Sequence, residues 1–163
     1  NLTEVTKAQR NLEEEKEVVD LRQIIQEVKD EIDPMITESN AVIKEDIEVV
    51  EMFFVPLNIR SIIYNLLTNA IKYRKPDVPL YIFIKVYAQG SNIVLSVKDN
   101  GLGLSKSQQG KLFKMFKRMH SHVEGTGIGL YILKRIAENS GGKVEVESEE
   151  KVGTEFKIYF RNN

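Results

Sequence analysis

PLNIRSIIYNLLTNAIKY, residues 56–73, reads as one amphipathic helix. Pro56 suits a first helical turn, because it lacks an N–H and its φ is preset. Ile59, Ile62, Ile63, Leu66, Leu67, Ala70 and Ile71 recur at helical spacing and make one apolar stripe. Asn65, Asn69 and Lys72 sit at i, i+4 and i+7 and share a line along the helix. At roughly 100° per residue that line borders the stripe. Two carboxamides and an ammonium are thus held at the edge of a core. Asparagine is a mediocre helix former, so two of them one turn apart point either to a pocket at that edge or to plain solvation.

The chain around this helix has 163 residues, enough for one domain with a core. Its 42% hydrophobic and 29% charged residues are an ordinary globular balance, and a net charge of −1 gives no overall pull toward nucleic acid or an anionic membrane. The absence of cysteine excludes disulfides and Cys-ligated zinc or iron–sulfur centres. No signal peptide or bilayer-length apolar run is present. The sequence starts without Met in a charged stretch, which reads as a piece of a longer chain.

Residues 1–17 carry Leu2, Val5, Gln9 and Leu12 at heptad-like spacing, as the tail of a coiled-coil or bundle helix or as a linker. Val18–Asp20 is extended, with Asp20 an N-cap for a helix from Leu21 to about Met35 or Thr37 that Pro34 ends or bends. Strands are expected at 41–46, 48–54, 80–88, 92–98, 143–148 and 154–160, and a helix at 131–140. Gln89-Gly90-Ser91 joins two of the strands as a hairpin. This order is no regular βαβ alternation. It predicts an α+β fold, a two-layer sandwich with one mixed sheet of about five strands and its helices on one face.

Two glycine-rich stretches interrupt the pattern. DNGLGL, residues 99–104, follows a strand, and GTGIGL, residues 125–130, precedes a helix. Gly125, Gly127 and Gly129 allow backbone N–H groups close to an anion at a helix start, though the segment is neither a P-loop nor a Rossmann fingerprint; a clash-sparing flexible loop is the alternative. Asp99 at the strand end could accept from an exocyclic amine such as adenine N6, or simply close an Asx-turn. Between them, 105–124 is polar and basic with a short helical centre. Its Phe113, Met115 and Phe116 read as core residues or as latches of a flap. His120 and His122 lack the companions a metal site needs.

Taken together, these pieces resemble the ATP-binding catalytic domain of sensor histidine kinases, in the superfamily shared with the gyrase and heat-shock-chaperone ATPases. The resemblance runs from about Asp20 to Phe160. NLLTNAIKY (65–73) resembles the N box, DNGLG (99–103) the first glycine box, KLFKMF (111–116) the F box and GTGIGL (125–130) the second glycine box. FKRMHSHVEGTGIGL is similar to kinases with PAS or phytochrome-like inputs. The resemblance implies the Bergerat ATP-binding fold over residues 17–163, with an ATP lid at about 104–124. Residues 1–16 would be the end of a dimerisation helix or a linker.

The resemblance also implies roles. Asn69 would coordinate Mg²⁺ on the ATP phosphates, with Asn65 beside it and Lys72 facing phosphate. Tyr73 would pack near the sugar or base, and Asp99 would bind adenine N6 above the turn made by Gly101, Gly103 and Leu104. Phe113 and Phe116 would anchor the lid, and Arg118 would reach phosphate. Gly125, Thr126, Gly127, Gly129 and Leu130 would line the triphosphate, and Thr154 would complete the adenine end. Hydrolysing relatives carry a glutamate where this chain has Asn65, and a carboxamide cannot take a proton from water at neutral pH. The implied reaction is therefore phosphoryl transfer to a histidine on a separate dimerisation domain, not hydrolysis, and the fragment alone would not autophosphorylate. Implied partners are that domain, a response regulator receiver domain and a second copy of the full-length chain, with no nucleic acid; this domain would lie in the cytoplasm, with the full-length protein either free or membrane-anchored. The competing readings are a gyrase- or chaperone-type ATPase, a serine kinase of the same superfamily, and a degenerate partner-binding module.

Overall fold

A computed structural model describes residues 15–112 and 128–162. The elements run β1 (Glu17–Asp20), α1 (Leu21–Glu31), α2 (Asp33–Ser39), β2 (Val42–Ile47), β3 (Glu51–Phe54), α3 (Pro56–Lys72), β4 (Tyr81–Gln89), β5 (Asn92–Asp99), α4 (Lys106–Lys111), α5 (Ile128–Asn139), β6 (Lys143–Glu149) and β7 (Gly153–Arg161).

The main sheet has five strands in the order β2-β4-β5-β7-β6. β2 runs parallel to β4 and the other neighbours are antiparallel, so the sheet is mixed as expected. One face is the core. Ile82, Ile84 and Val86 of β4, Ile93, Leu95 and Val97 of β5, and Phe156, Ile158 and Phe160 of β7 are buried at alternate positions. Every apolar position of the α3 stripe is buried against them, together with Ile25 and Val28 of α1 and Leu133, Ile136 and Ala137 of α5. Phe54 meets Phe160 edge-on at 5.1 Å between ring centroids.

Two expectations change. Residues 48–54 are not a strand of the main sheet. Only Glu51–Phe54 is extended, and it pairs antiparallel with β1 in a separate two-stranded ribbon. Val, Ile and Phe content marks extended chain but not the sheet it joins. The helix after Asp20 also breaks sooner than Pro34 suggested. It stops at Ile32, and a second helix starts with Pro34 in its first turn. There the missing N–H costs nothing, so the proline opens a helix instead of ending one.

Asp20 is the N-cap of α1, its Oδ1 accepting from the Gln23 N–H at 3.1 Å. Removing it in Asp20→Ala should lower stability by about 1 kcal/mol, read as a shifted urea midpoint without a change in slope. The ion pairs that tie α1 to its neighbours, Arg60 with Glu27 and Glu31, and Lys29 with Glu45, lie near the surface and contribute little. No described helix is long and apolar enough to cross a membrane.

Candidate nucleotide site

One cavity opens beside the core where α3, β5, β7 and α5 converge. It is lined by Asn69, Ala70, Tyr73, Asp99, Gly103, Leu104, Leu112, Leu130, Thr154 and Phe156. A mainly apolar lining with a few convergent polar groups is the character of a small-ligand site. α3 delivers Asn69 and Tyr73 one turn apart, because its stripe is sunk in the core and its polar line is left at the cavity edge. β5 ends at Asp99, and Thr154, the second residue of β7, lies directly opposite it in register.

Asp99 is the single carboxylate among the lining residues. Its Oδ1 accepts from the Gly101 N–H at 2.8 Å, and the Thr154 N–H also donates to the carboxylate. Burial outweighs these two hydrogen bonds and pushes the carboxyl up to about 6 from an ordinary 3.8. The turn beyond it is packed too closely for side chains. The Leu102 N–H donates to the Tyr73 carbonyl at 2.9 Å, and a Cβ on Gly101 would stand 2.6 Å from that same oxygen. Gly103 has φ +71°, and a Cβ there would collide with the Glu149 carbonyl. The Asx-turn and the carboxylate in a cavity were alternatives in the sequence; the structure has both at once.

Asn65 and Asn69 face different surroundings. Both are half-buried. Asn65 Nδ2 donates to the Ser61 carbonyl at 2.9 Å, which turns Oδ1 toward the start of α5, where a Cβ on Gly129 would strike it. Asn69 lines the cavity, and no hydrogen bond to another described residue holds its carboxamide. Lys72 is exposed and is not among the lining residues. The expected site residues Phe113, Phe116, Arg118, Gly125, Thr126 and Gly127 lie outside the described residues, as do His120, His122 and most of the expected lid and dimerisation-helix segments. The described part of the site therefore brings together Asn69, Tyr73, Asp99, Gly103, Leu104, Leu130 and Thr154 around one cavity, with Asn65, Gly101 and Gly129 packed against its edges.

Residues 54–163 match the family model described as "Histidine kinase-, DNA gyrase B-, and HSP90-like ATPase". The chain belongs to this family. Its curated relatives include the sensor protein RprX of Bacteroides fragilis, 36% identical over 106 residues that cover 63% of this chain and 20% of the relative. The circadian input-output histidine kinase CikA of Synechococcus elongatus is 32% identical over 108 residues, 64% of this chain and 14% of the relative. The heme sensor protein HssS of Staphylococcus saprophyticus is 29% identical over 143 residues, 88% of this chain and 31% of the relative. The chain thus spans a third or less of the length of these relatives. Among solved structures, Acinetobacter baumannii histidine kinase AdeS superposes with a TM-score of 0.79 at 19% identity, covering 99% of this chain and 79% of that one. The nucleotide-free catalytic domain of histidine kinase ThkA gives 0.78 at 23%, covering 91% and 97%. This member of the ATPase family is accordingly an ATP-binding catalytic domain of the sensor histidine kinase type.

Four residues of the histidine kinase-like site were not marked in the sequence. Ala70, Leu112 and Phe156 line the cavity, but apolar residues at helical or alternate spacing read as core. Ser148 touches the lining from behind, and a lone serine in a strand carries no pattern.

The Asn65–Gly129 contact gives a test. Gly129→Ala should push the Asn65 carboxamide aside and weaken binding of an ATP analogue about tenfold. In an Asn65→Ala background the same change should cost less than about twofold, a coupling that a double-mutant cycle by calorimetry measures directly.

Proposed function

We propose that this domain binds Mg²⁺-ATP in the cavity at Asp99 and presents the γ-phosphoryl group to a histidine on a separate dimerisation domain. The observation that carries the reading is the placement of Asp99, one carboxylate in an otherwise uncharged cavity with two backbone N–H groups fixing its orientation. A flat, mostly apolar heterocycle with an exocyclic amino group fits such a cavity, and adenine has that amine at N6 whereas guanine has an acceptor in the matching place. Tyr73, Leu104 and Phe156 offer the base its apolar walls, and Thr154 adds a hydroxyl at the same edge.

The residues present also suit a divalent cation at the phosphate end. The Asn69 carboxamide is uncommitted among the described residues and half-buried at the cavity edge, and a neutral oxygen donor is what a hard cation accepts. The described residues hold no group of three His, Cys, Asp or Glu that would form an all-protein cage. That fits an ion taken up with the nucleotide, with Asn69 as its protein ligand and phosphate oxygens as the others. Bound there, Mg²⁺ supplies charge neutralisation. Asn65, Lys72, Arg118 and the glycines at 125, 127 and 129 are the proposed phosphate-side groups, with Asn65 and Lys72 positioning the γ-phosphoryl group. Phe113 and Phe116 are the proposed lid anchors, with Thr126 and Leu130 beside the triphosphate.

Asn65 decides between transfer and hydrolysis. Its nitrogen is spent on Ser61 and its oxygen lies against Gly129, and a carboxamide is no base for water. Phosphoryl transfer needs mostly positioning and charge stabilisation, which this site supplies without a general base. The acceptor histidine, a receiver domain that takes the phosphoryl group onward, homodimerisation of the full-length protein and a cytoplasmic location, where ATP is abundant, complete the proposal.

Calorimetric titration with non-hydrolysable ATP and GTP analogues, each with and without Mg²⁺, tests it. Binding of the adenine form, strengthened by Mg²⁺, is the expected result. Equal affinity for the two bases, or no binding, would remove the reading and move a partner-binding module to first place.

A further inference from the structure

We infer that Ser148, which is not itself a lining residue, is the positioning residue that holds the base end of the cavity together. The inference rests on the adenine reading of the cavity. Ser148 Oγ accepts from the Leu104 N–H at 2.8 Å, and it lies 2.8 Å from Thr154 Oγ1 and 3.1 Å from the Gly153 carbonyl. Its own carbonyl accepts from Gln109 Nε2 at 3.2 Å, and the same nitrogen donates to the Leu104 carbonyl at 3.1 Å. Of the three residues that Ser148 Oγ touches, Leu104 and Thr154 line the cavity.

Leu104 stands between β5 and α4, in chain with no ladder or helix bonds of its own. Its N–H is paired by the Ser148 hydroxyl and its carbonyl by the Gln109 side chain. A side chain, not the backbone, therefore fixes this wall. The hydroxyl also sets what Thr154 shows the ligand. Ser148 has one proton, and the incoming Leu104 N–H leaves that proton to Gly153 or to Thr154. Given to Thr154, it frees the Thr154 proton to donate into the cavity, where adenine N1, an acceptor, adjoins N6. Given to Gly153, it leaves Thr154 donating to Ser148 and offering only an acceptor.

The test separates the two ends of the nucleotide. Dissociation constants are measured in Mg²⁺ for a non-hydrolysable ATP analogue and for inorganic tripolyphosphate, which has no base. Ser148→Ala should weaken the analogue about tenfold and leave tripolyphosphate within about twofold, and Ser148→Thr, which keeps the hydroxyl, should bring the analogue back to within about threefold of wild type. Gln109→Ala, a change on a short surface helix, should weaken the analogue selectively but less, and it decides the matter if Ser148→Ala does not fold. Equal weakening of both ligands, or an unchanged analogue affinity, would overturn the inference and leave Ser148 a general structural tie. A wild-type chain that binds no analogue would instead overturn the nucleotide reading itself, and this inference with it.

Discussion

Asp99→Asn should lower affinity for an ATP analogue about 30- to 100-fold while the apo protein at pH 7.5 melts no earlier than wild type. The two halves of this result have one cause. The cavity pushes the Asp99 carboxyl up to about 6, so above that pH the fold carries an ionised group that burial disfavours. A carboxyl raised in the folded state contributes stability that is fully present below its ordinary 3.8 and is lost as pH rises through about 6. Each pH unit across that window corresponds to about 1.4 kcal/mol at most. Asparagine keeps an oxygen for the Gly101 N–H and cannot ionise, so it removes that component. Apo wild type should accordingly lose stability between pH 4 and 6 relative to Asp99→Asn, as read from paired urea midpoints.

Binding runs the other way. In the proposed complex the adenine amine donates to the ionised carboxylate, and a charge-assisted hydrogen bond of this kind contributes about 1.5–3 kcal/mol. Asparagine turns the interaction neutral and sets its NH₂ in competition with the amine. Affinity of wild type should therefore rise with pH through about 6, and the difference from Asp99→Asn isolates this titration from that of the nucleotide's own phosphates. Parallel losses of stability and affinity at every pH would return Asp99 to the role of a turn residue.

How far the sequence could be read depended on how local each signal was. The α3 stripe was legible because helical periodicity reports burial directly, and every position it named is buried. The hairpin at Gly90 was legible because turn chemistry acts within a few residues, whereas the close turn at Gly101 and Gly103 followed only from the family resemblance, because the backbone it packs against, at Tyr73 and Glu149, lies far along the chain. The fate of residues 48–54 was not, because joining β1 instead of the main sheet depends on partners far along the chain. Pro34 was ambiguous until Ile32 was seen to end α1, since a proline suits a helix start and spoils an interior. In the site, charged and amide residues stood out because they are unusual at the edge of an apolar stripe. Leu112 and Phe156 did not, since a base pocket and a core use the same side chains. Lys72 shares the helical line of Asn65 and Asn69 but is exposed at the end of α3, where the line leaves the cavity.

Asn69 should show the opposite of what a structural residue shows. Its side chain has no hydrogen bond to another described residue, and it lies in the last turn of a 17-residue helix. Asparagine is poorer than alanine there by about 0.5 kcal/mol, so Asn69→Ala should raise thermal stability slightly. The same change should remove the strengthening of ATP-analogue binding by Mg²⁺. The ratio of dissociation constants without and with the ion should fall from about a hundredfold toward one, because a neutral oxygen ligand is lost where the triphosphate's charge must be offset. Binding without Mg²⁺ should change by no more than about twofold, which separates a metal ligand from a base or sugar contact. Asn69→Asp should not restore the ratio, since its added negative charge faces the phosphates. If Asn69→Ala kept the Mg²⁺ dependence intact, the ion would have to be held elsewhere, and the uncommitted carboxamide in the cavity wall would need another use. On the proposed reading, a helix that keeps a poor helix former at a position where alanine would fold better trades stability for a ligand, and the Mg²⁺ ratio tests that trade.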